Sequence, residues 1–338
     1  MKKLALYAKT EDNRVMCLAC NHHCHISDTK TGICGIRQNQ KGDLHLLTYG
    51  KAIAANIDPI EKKPLFHFLP GTEIFSLGTY GCNFGCDFCQ NFDISQATKR
   101  NSKIGNWGQD WSPNKIVQFC KNNHIPNIAY TYNEPTIWVE YALDIMKLAK
   151  DRGLKNVWVS NGYMSKETLD LIAPYLDAIN IDLKSISNDF YIKYCKAKLE
   201  PVKNNIKDIW QRGIWEEITT LIIPSLNDSD NELKQIAEFI YGISHDLIWH
   251  ISAFYPAYKM MNRPPTPLKT LLRAYEIGRE VGLKYVYTGN VPNSEYESTY
   301  CPKCNELLIK RLGMAVLENH LNKDKCHKCN TKISGVWN

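Results

Sequence analysis

The sequence predicts an α/β protein, a partial (β/α) TIM-like barrel carrying a small cysteine-rich, metal-binding lobe at each terminus. Three observations lead there. Short β-rich runs alternate with amphipathic stretches between residues 73 and 288, often enough for a parallel sheet and regularly enough to favour a barrel over a doubly wound sheet. Most of the 13 cysteines fall into three clusters: one before that region, one inside it and one after it. A length of 338 residues, at about 150 per domain, leaves room for a large core with small additions.

Residues 1–56 form the first lobe, because helical periodicity is weak there and the segment carries Cys17, Cys20, Cys24 and Cys34. Residues 57–297 form the barrel. Its strands are expected at Glu73–Gly78, Asn127–Tyr132, Asn156–Ser160, Ala178–Leu183, Glu217–Ile223, Leu247–Tyr255 and Tyr285–Thr288. Its helices are expected near Pro113–Asn122, Pro135–Arg152, Lys166–Ala173, Val202–Arg212, Asn231–Gly242 and Leu268–Val281. In Ala178–Lys184 the apolar Ile179, Ile181 and Leu183 alternate with Asn180, Asp182 and Lys184; in Trp249–Phe254 the apolar Trp249, Ile251 and Ala253 alternate with His250, Ser252 and Phe254. Helices outside require apolar outward positions, so the polar sets face the lumen, near the carboxyl ends where βα enzymes place their chemistry. Such a lumen suits a substrate cavity, with Asp182, Lys184 and His250 as candidate catalytic groups. The competing readings are an internal Asp182–Lys184 salt bridge and a satisfied core histidine. Residues 298–338 form the last lobe, where Cys301-x2-Cys304 and Cys326-x2-Cys329 stand 21 residues apart.

Composition narrows the function classes. With 22% charged and 44% apolar residues the chain is neither disordered nor fibrous. The net charge of +6 is spread without a basic block, so a nucleic-acid partner is not expected. No window approaches 18 apolar residues, and the opening MKKLALYAKTEDNR has no apolar stretch of signal-peptide length. The expected location is a reducing cytoplasm, where thiols clustered at CxxC spacing serve as metal ligands.

The run GTYGCNFGCDFCQN at 78–91 places Cys82, Cys86 and Cys89 on one loop after the first strand. Three thiolates so spaced can hold three irons of a [4Fe–4S] cluster, and no fourth cysteine is near in sequence, which leaves one iron open to a ligand. The four C-terminal cysteines are close to zinc-ribbon spacing, with a structural zinc preferred over a second iron–sulfur cluster. The N-terminal four, interleaved with His22, His23 and His25, are open to two readings: a structural zinc or an auxiliary cluster.

CxxxCxxC after the first strand resembles the radical S-adenosylmethionine (SAM) superfamily. The resemblance implies a [4Fe–4S] cluster that cleaves SAM reductively to a 5′-deoxyadenosyl radical, which abstracts a hydrogen atom from a protein or small-molecule substrate. It also implies a low-potential electron donor such as flavodoxin or ferredoxin. By the same resemblance Phe88 lies against adenine, and Asn133-Glu134 corresponds to the motif at the methionyl amino group. Tyr132 and Asn133 stand where glycines are common, so Glu134 carries over better. Ser160 and Asn161 would reach the ribose or the methionyl carboxylate, although Asn161-Gly162 is also an ordinary turn signal. Asp182-x-Lys184 matches an element beside the cofactor in glycyl-radical activating enzymes such as pyruvate formate-lyase activase. Read together, CLACNHHCHISDTKTGICGIR, YTYNEPT, NIDLKS, HISAFYP and CPKCNELLIKR resemble the AmmeMemoRadiSam group, implying Memo-like and Amme-type partner proteins. The alternative is a zinc-organised adaptor without radical chemistry, which the three-cysteine loop and the polar strand ends disfavour.

Overall fold

The computed structural model describes residues 3–100, 106–291 and 295–338. Its centre is an eight-stranded sheet: β1 (Ala54–Pro59), β2 (Glu73–Gly78), β3 (Asn127–Tyr130), β4 (Lys155–Ser160), β5 (Ala178–Asp182), β6 (Trp215–Ile222), β7 (Ile248–Ala253) and β8 (Val286–Gly289). Sequential neighbours pair in space. From β2 to β8 every pairing is parallel, whereas β1 runs antiparallel to β2, Ala54 opposite Gly78 and Pro59 opposite Glu73. The two edge strands are not paired with each other, so the expected partial barrel is what forms.

All seven expected strands are present, with ends shifted by a few residues. Sequence reasoning missed β1: its run AANIDP carries Asp58 and Pro59 and leaves Ile57 exposed, so neither alternation nor β propensity marks it. It also crosses the division at residues 56 and 57. The helices α1 (Pro113–Asn122), α2 (Val139–Asp151), α3 (Lys166–Ile172), α4 (Leu199–Gln211), α5 (Asp230–Tyr241) and α6 (Leu268–Val281) lie close to their expected positions. Serine caps start three of them: Ser112, Ser165 and Ser229 each accept a backbone N–H from the first turn. The expected single helix Pro135–Arg152 is instead a 3₁₀ turn over Pro135–Trp138 followed by α2. The tighter turn tucks Pro135, Thr136, Ile137 and Trp138 wholly inside.

The strand faces follow the alternation. Ile179, Ile181, Trp249, Ile251 and Ala253 are fully buried, while Asn180, Asp182, His250 and Ser252 line the barrel cavity. Phe254 departs from the expected lumen set. The strand stops at Ala253, and Phe254 turns into the core with its N–H on Thr266 Oγ1 at 2.9 Å.

Neither flanking lobe stands apart from the barrel. At the N-terminus two three-stranded antiparallel sheets pack against the β4–α3 loop and α2. Buried Arg37 pairs with Glu140 at 2.6 Å and donates to the Ile137 carbonyl at 2.7 Å, and Asn21 donates to the Met164 carbonyl at 2.6 Å. At the C-terminus, Leu308, Ile309 and Ile333 share a core with Phe66, Ile248, Tyr285 and Tyr287 of the barrel. Arg311, also buried, donates to the Phe66 carbonyl at 2.6 Å with its guanidinium 4.3 Å from that ring. Removing such a cation's partners would leave an uncompensated buried charge, so these contacts hold lobe and barrel together. Among the described residues no helix is long and apolar enough to cross a membrane.

Candidate active site

A cavity of about 730 Å³ opens at the carboxyl ends of the parallel strands. Each barrel residue singled out from the sequence reaches its wall: Cys82, Cys86, Cys89 and Phe88 on one side, Asn133, Glu134, Ser160 and Asn161 beside them, then Asp182, Lys184 and, further along, His250. The strands bring together residues up to 168 positions apart (Cys82 to His250, 250 − 82) because each contributes its lumen-facing end.

The cysteine loop is braced from two sides. Asn133 donates to the Gly81 carbonyl at 2.9 Å and to Thr79 Oγ1 at 3.1 Å, while its own oxygen accepts the Thr79 N–H at 3.3 Å. Its amide is thus committed to the loop backbone, a role its motif position did not disclose. Gly81 turns with φ +89°, and a Cβ there would stand 2.4 Å from the Cys34 carbonyl oxygen. Gly81→Ala is therefore expected to cost about 1–3 kcal/mol from backbone strain alone and to lower bound iron, measured by melting and by metal content.

The three thiols suit a cluster. All are free, sit on the same cavity wall and have few competing partners: Cys82 accepts the Phe84 N–H at 3.4 Å and donates to Asn83 Oδ1 at 3.7 Å, and Ser95 Oγ lies 3.2 Å from Cys89. Burial pushes the Cys82 and Cys89 thiols up; contact with the Cys195 thiol, then burial, does so at Cys86. Cys195, solitary in the sequence, is thus a neighbour of Cys86, brought there by the helical turn Tyr191–Cys195. Thiols held neutral by burial become thiolates when metal takes the proton's place.

Glu134 is buried with both oxygens engaged, and Oε2, with a single donor, can accept another. Oε1 accepts Thr136 N–H at 3.1 Å, Thr136 Oγ1 at 2.5 Å and Ser160 Oγ at 2.9 Å; Oε2 accepts the Asn161 N–H at 2.8 Å. Burial pushes its carboxyl above the ordinary value, partly offset by those donors. The carboxylate thus caps the 3₁₀ turn after β3, lines the cavity and ties β3 to β4. Asn161 likewise both closes its turn, accepting Tyr163 N–H at 3.0 Å, and reaches across to Asn83 Oδ1 at 2.8 Å.

Lys184 Nζ lies 3.1 Å from Asp182 and 5.7 Å from the centre of the Phe88 ring. Burial alone would lower its pKa, but the Asp182 carboxylate outweighs that and the net direction is up, so the ammonium persists. His250 Nε2 bonds Glu217 at 2.6 Å. Glu217, missed from the sequence, also accepts the Phe66 and His67 N–H groups, each at 2.9 Å. Against the upward pull of burial, His250 above all holds this carboxylate below its ordinary value. Its signal was an acidic residue inside a β run. Around the same chamber Asn180 Oδ1, Thr219 Oγ1, Thr288 Oγ1 and Glu61 Oε2 are buried without a partner. Each belongs to a residue that lines the cavity, although the atom itself is closed off from it.

The C-terminal cysteines make a different site. The Cys301–Cys329 and Cys304–Cys326 sulfurs are 3.6 and 3.7 Å apart, and all four lie within 4.8 Å of one another. Four thiolates about 2.3 Å from one tetrahedral ion stand at about this separation.

Residues 76–240 match the radical SAM superfamily model. An uncharacterized protein of Methanocaldococcus jannaschii is 42% identical over 339 residues, covering 99% of this chain and all of that protein (100%). The pyruvate formate-lyase-activating enzyme of Clostridium pasteurianum is 21% identical over 165 residues, 48% of this chain and 67% of that enzyme. In fold, the crystal structure of a radical SAM methyltransferase from Sphaerobacter thermophilus matches with a TM-score of 0.51 at 15% identity, over 66% of this chain and 68% of that one.

Proposed function

The chain belongs to the radical SAM superfamily, and on that premise we propose an activating-enzyme-like oxidoreductase whose [4Fe–4S] cluster is held by Cys82, Cys86 and Cys89. The observation that carries this reading is three free thiols on the wall of a cavity that continues past Glu134, Ser160 and Asn161. Such a cluster supplies one-electron cleavage of SAM and, from it, hydrogen-atom abstraction. This chain's residues do the rest. Phe88 offers an apolar face to adenine, and the polar floor around Glu134 takes the methionyl end. Asp182 and Lys184 bring a paired charge beside the cofactor. His250, oriented by Glu217, handles protons on the cavity wall, and the polar lining of Asn180, Thr219 and Thr288 favours a substrate whose reacting end is polar. Anaerobic reconstitution with iron and sulfide, followed by SAM and dithionite, tests the reading. 5′-Deoxyadenosine should form, and a colourless protein binding zinc alone would return the adaptor reading.

We further assign a structural zinc to Cys301, Cys304, Cys326 and Cys329 on the spacing of their sulfurs. A flavodoxin or ferredoxin in the cytoplasm would donate the electron, and the resemblance to the AmmeMemoRadiSam group points to Memo-like and Amme-type proteins as partners.

Glu134 supplies a sharper test. A charge-assisted hydrogen bond from a bound amino group is worth about 1.5–3 kcal/mol, so Glu134→Gln should weaken SAM binding about tenfold or more with iron content unchanged. It should also lower the melting temperature, because the new amide meets the Asn161 or Thr136 N–H with a donor. A purely capping carboxylate gives the second effect without the first.

A further inference from the structure

The N-terminal cysteines lie outside the cavity described above. Cys17, Cys20, Cys24 and Cys34 line one small pocket with His22 and Arg37, and all four are free. Their spacing differs from that of the C-terminal set. Among the described residues, the C-terminal four are the group whose sulfurs all approach within 4.8 Å, as a single tetrahedral ion requires. The N-terminal four share a pocket without closing to that distance. A cube of four irons, one thiolate to each corner, holds its thiolates farther apart than a single ion does. The surroundings suit an anionic centre: Arg37, 1% exposed, points Nη1 at Cys17 Sγ across 3.9 Å.

The pocket also touches the catalytic loop. The Cys34 carbonyl sits where a Gly81 side chain would be, and His22 Nε2 bonds the Asn83 carbonyl at 3.0 Å, so contacts flank Cys82 on both sides. His22, interleaved with the cysteines in sequence, thus joins the N-terminal pocket to the catalytic loop.

We propose that Cys17, Cys20, Cys24 and Cys34 hold a second [4Fe–4S] cluster that relays electrons to the cluster at Cys82, Cys86 and Cys89. The relay rests on the assignment of that catalytic cluster. One electron enters from a one-electron carrier of the flavodoxin or ferredoxin class and reduces the N-terminal cluster by one unit. It then passes to the catalytic cluster, returning the relay to its oxidised state, with no net change at the N-terminal site.

The test uses the full chain purified anaerobically. Wild type should hold about eight irons and eight sulfides, and the Cys82, Cys86 and Cys89→Ala variant about four of each, with a reducible EPR signal. In reduced wild type, two neighbouring paramagnetic clusters should give a broadened signal that narrows in that variant. Cys17→Ala with Cys20→Ala and Cys24→Ala should keep about four irons, reducible by dithionite but only slowly by reduced flavodoxin. Zinc without iron in the Cys82, Cys86 and Cys89 variant overturns the second cluster. Reduction of the N-terminal variant by flavodoxin at the wild-type rate overturns the relay. Should that variant not fold, the iron count and EPR of the other still decide. Failure of the catalytic-loop assignment looks different, as an iron count unchanged by removing Cys82, Cys86 and Cys89.

Discussion

Changing Cys82, Cys86 and Cys89 together to Ala is expected to abolish 5′-deoxyadenosine formation while leaving the protein folded. Each thiol is a proposed direct iron ligand, so no residual site can position the open iron for SAM. The triple change matters because neighbours could stand in for one lost ligand: Cys195 lies against Cys86, and Ser95 Oγ is 3.2 Å from Cys89. The fold should persist because each substitution removes a single small atom from a wall that already borders open volume. Product analysis by mass spectrometry after dithionite reduction, beside a melting curve, is the measurement. Deoxyadenosine at wild-type yield would remove this loop from the mechanism.

Stripping the zinc proposed at Cys301, Cys304, Cys326 and Cys329 is expected to unfold residues 298–338 and to loosen the barrel with them. Zinc binding in small structural sites supplies about 10–16 kcal/mol, far more than so short a segment can replace by burial. The sequence alone suggests a separate lobe over 298–338 that would unfold before cofactor cleavage is affected. The packing couples the two. Phe66, Tyr285 and Tyr287 share a core with Leu308 and Ile309, Arg311 holds the Phe66 carbonyl, and Gly313 and Met314 form part of the cavity wall. Chelation should therefore abolish hydrogen-exchange protection in 298–338, reduce it in β7 and β8, and weaken SAM binding with iron content unchanged. Full protection of the lobe after its zinc has gone would refute a structural metal.

Much of this was legible in the chain because its signals are local. Alternation along Ala178–Asp182 puts Asn180 and Asp182 on the lumen face, and Lys184, two residues past the strand's end, stays beside them with Nζ 3.1 Å from Asp182. Cysteine spacing marks three separate sets, since ligands on one tight loop must be near in sequence. What was missed is long-range. Glu217 is recognisable only when β7 brings His250 against it, and Asn133 only when the cysteine loop folds over its amide. Cys195 meets Cys86 through an irregular helical turn that no periodicity announces.

Composition, alternation and spacing thus determine by themselves that this chain builds helix-covered parallel strands and carries three sulfur sites, because those properties depend on each residue and its near neighbours. Tertiary structure alone decides how the sites relate: the N-terminal cysteines back onto Gly81 and Asn83, and the C-terminal lobe closes one side of the cavity. Such contacts join residues whose separation in the chain, 47 positions from Cys34 to Gly81 (81 − 34) and 245 from Phe66 to Arg311, leaves no trace in any local pattern. They exist because packing buries the apolar faces that the elements cannot cover alone.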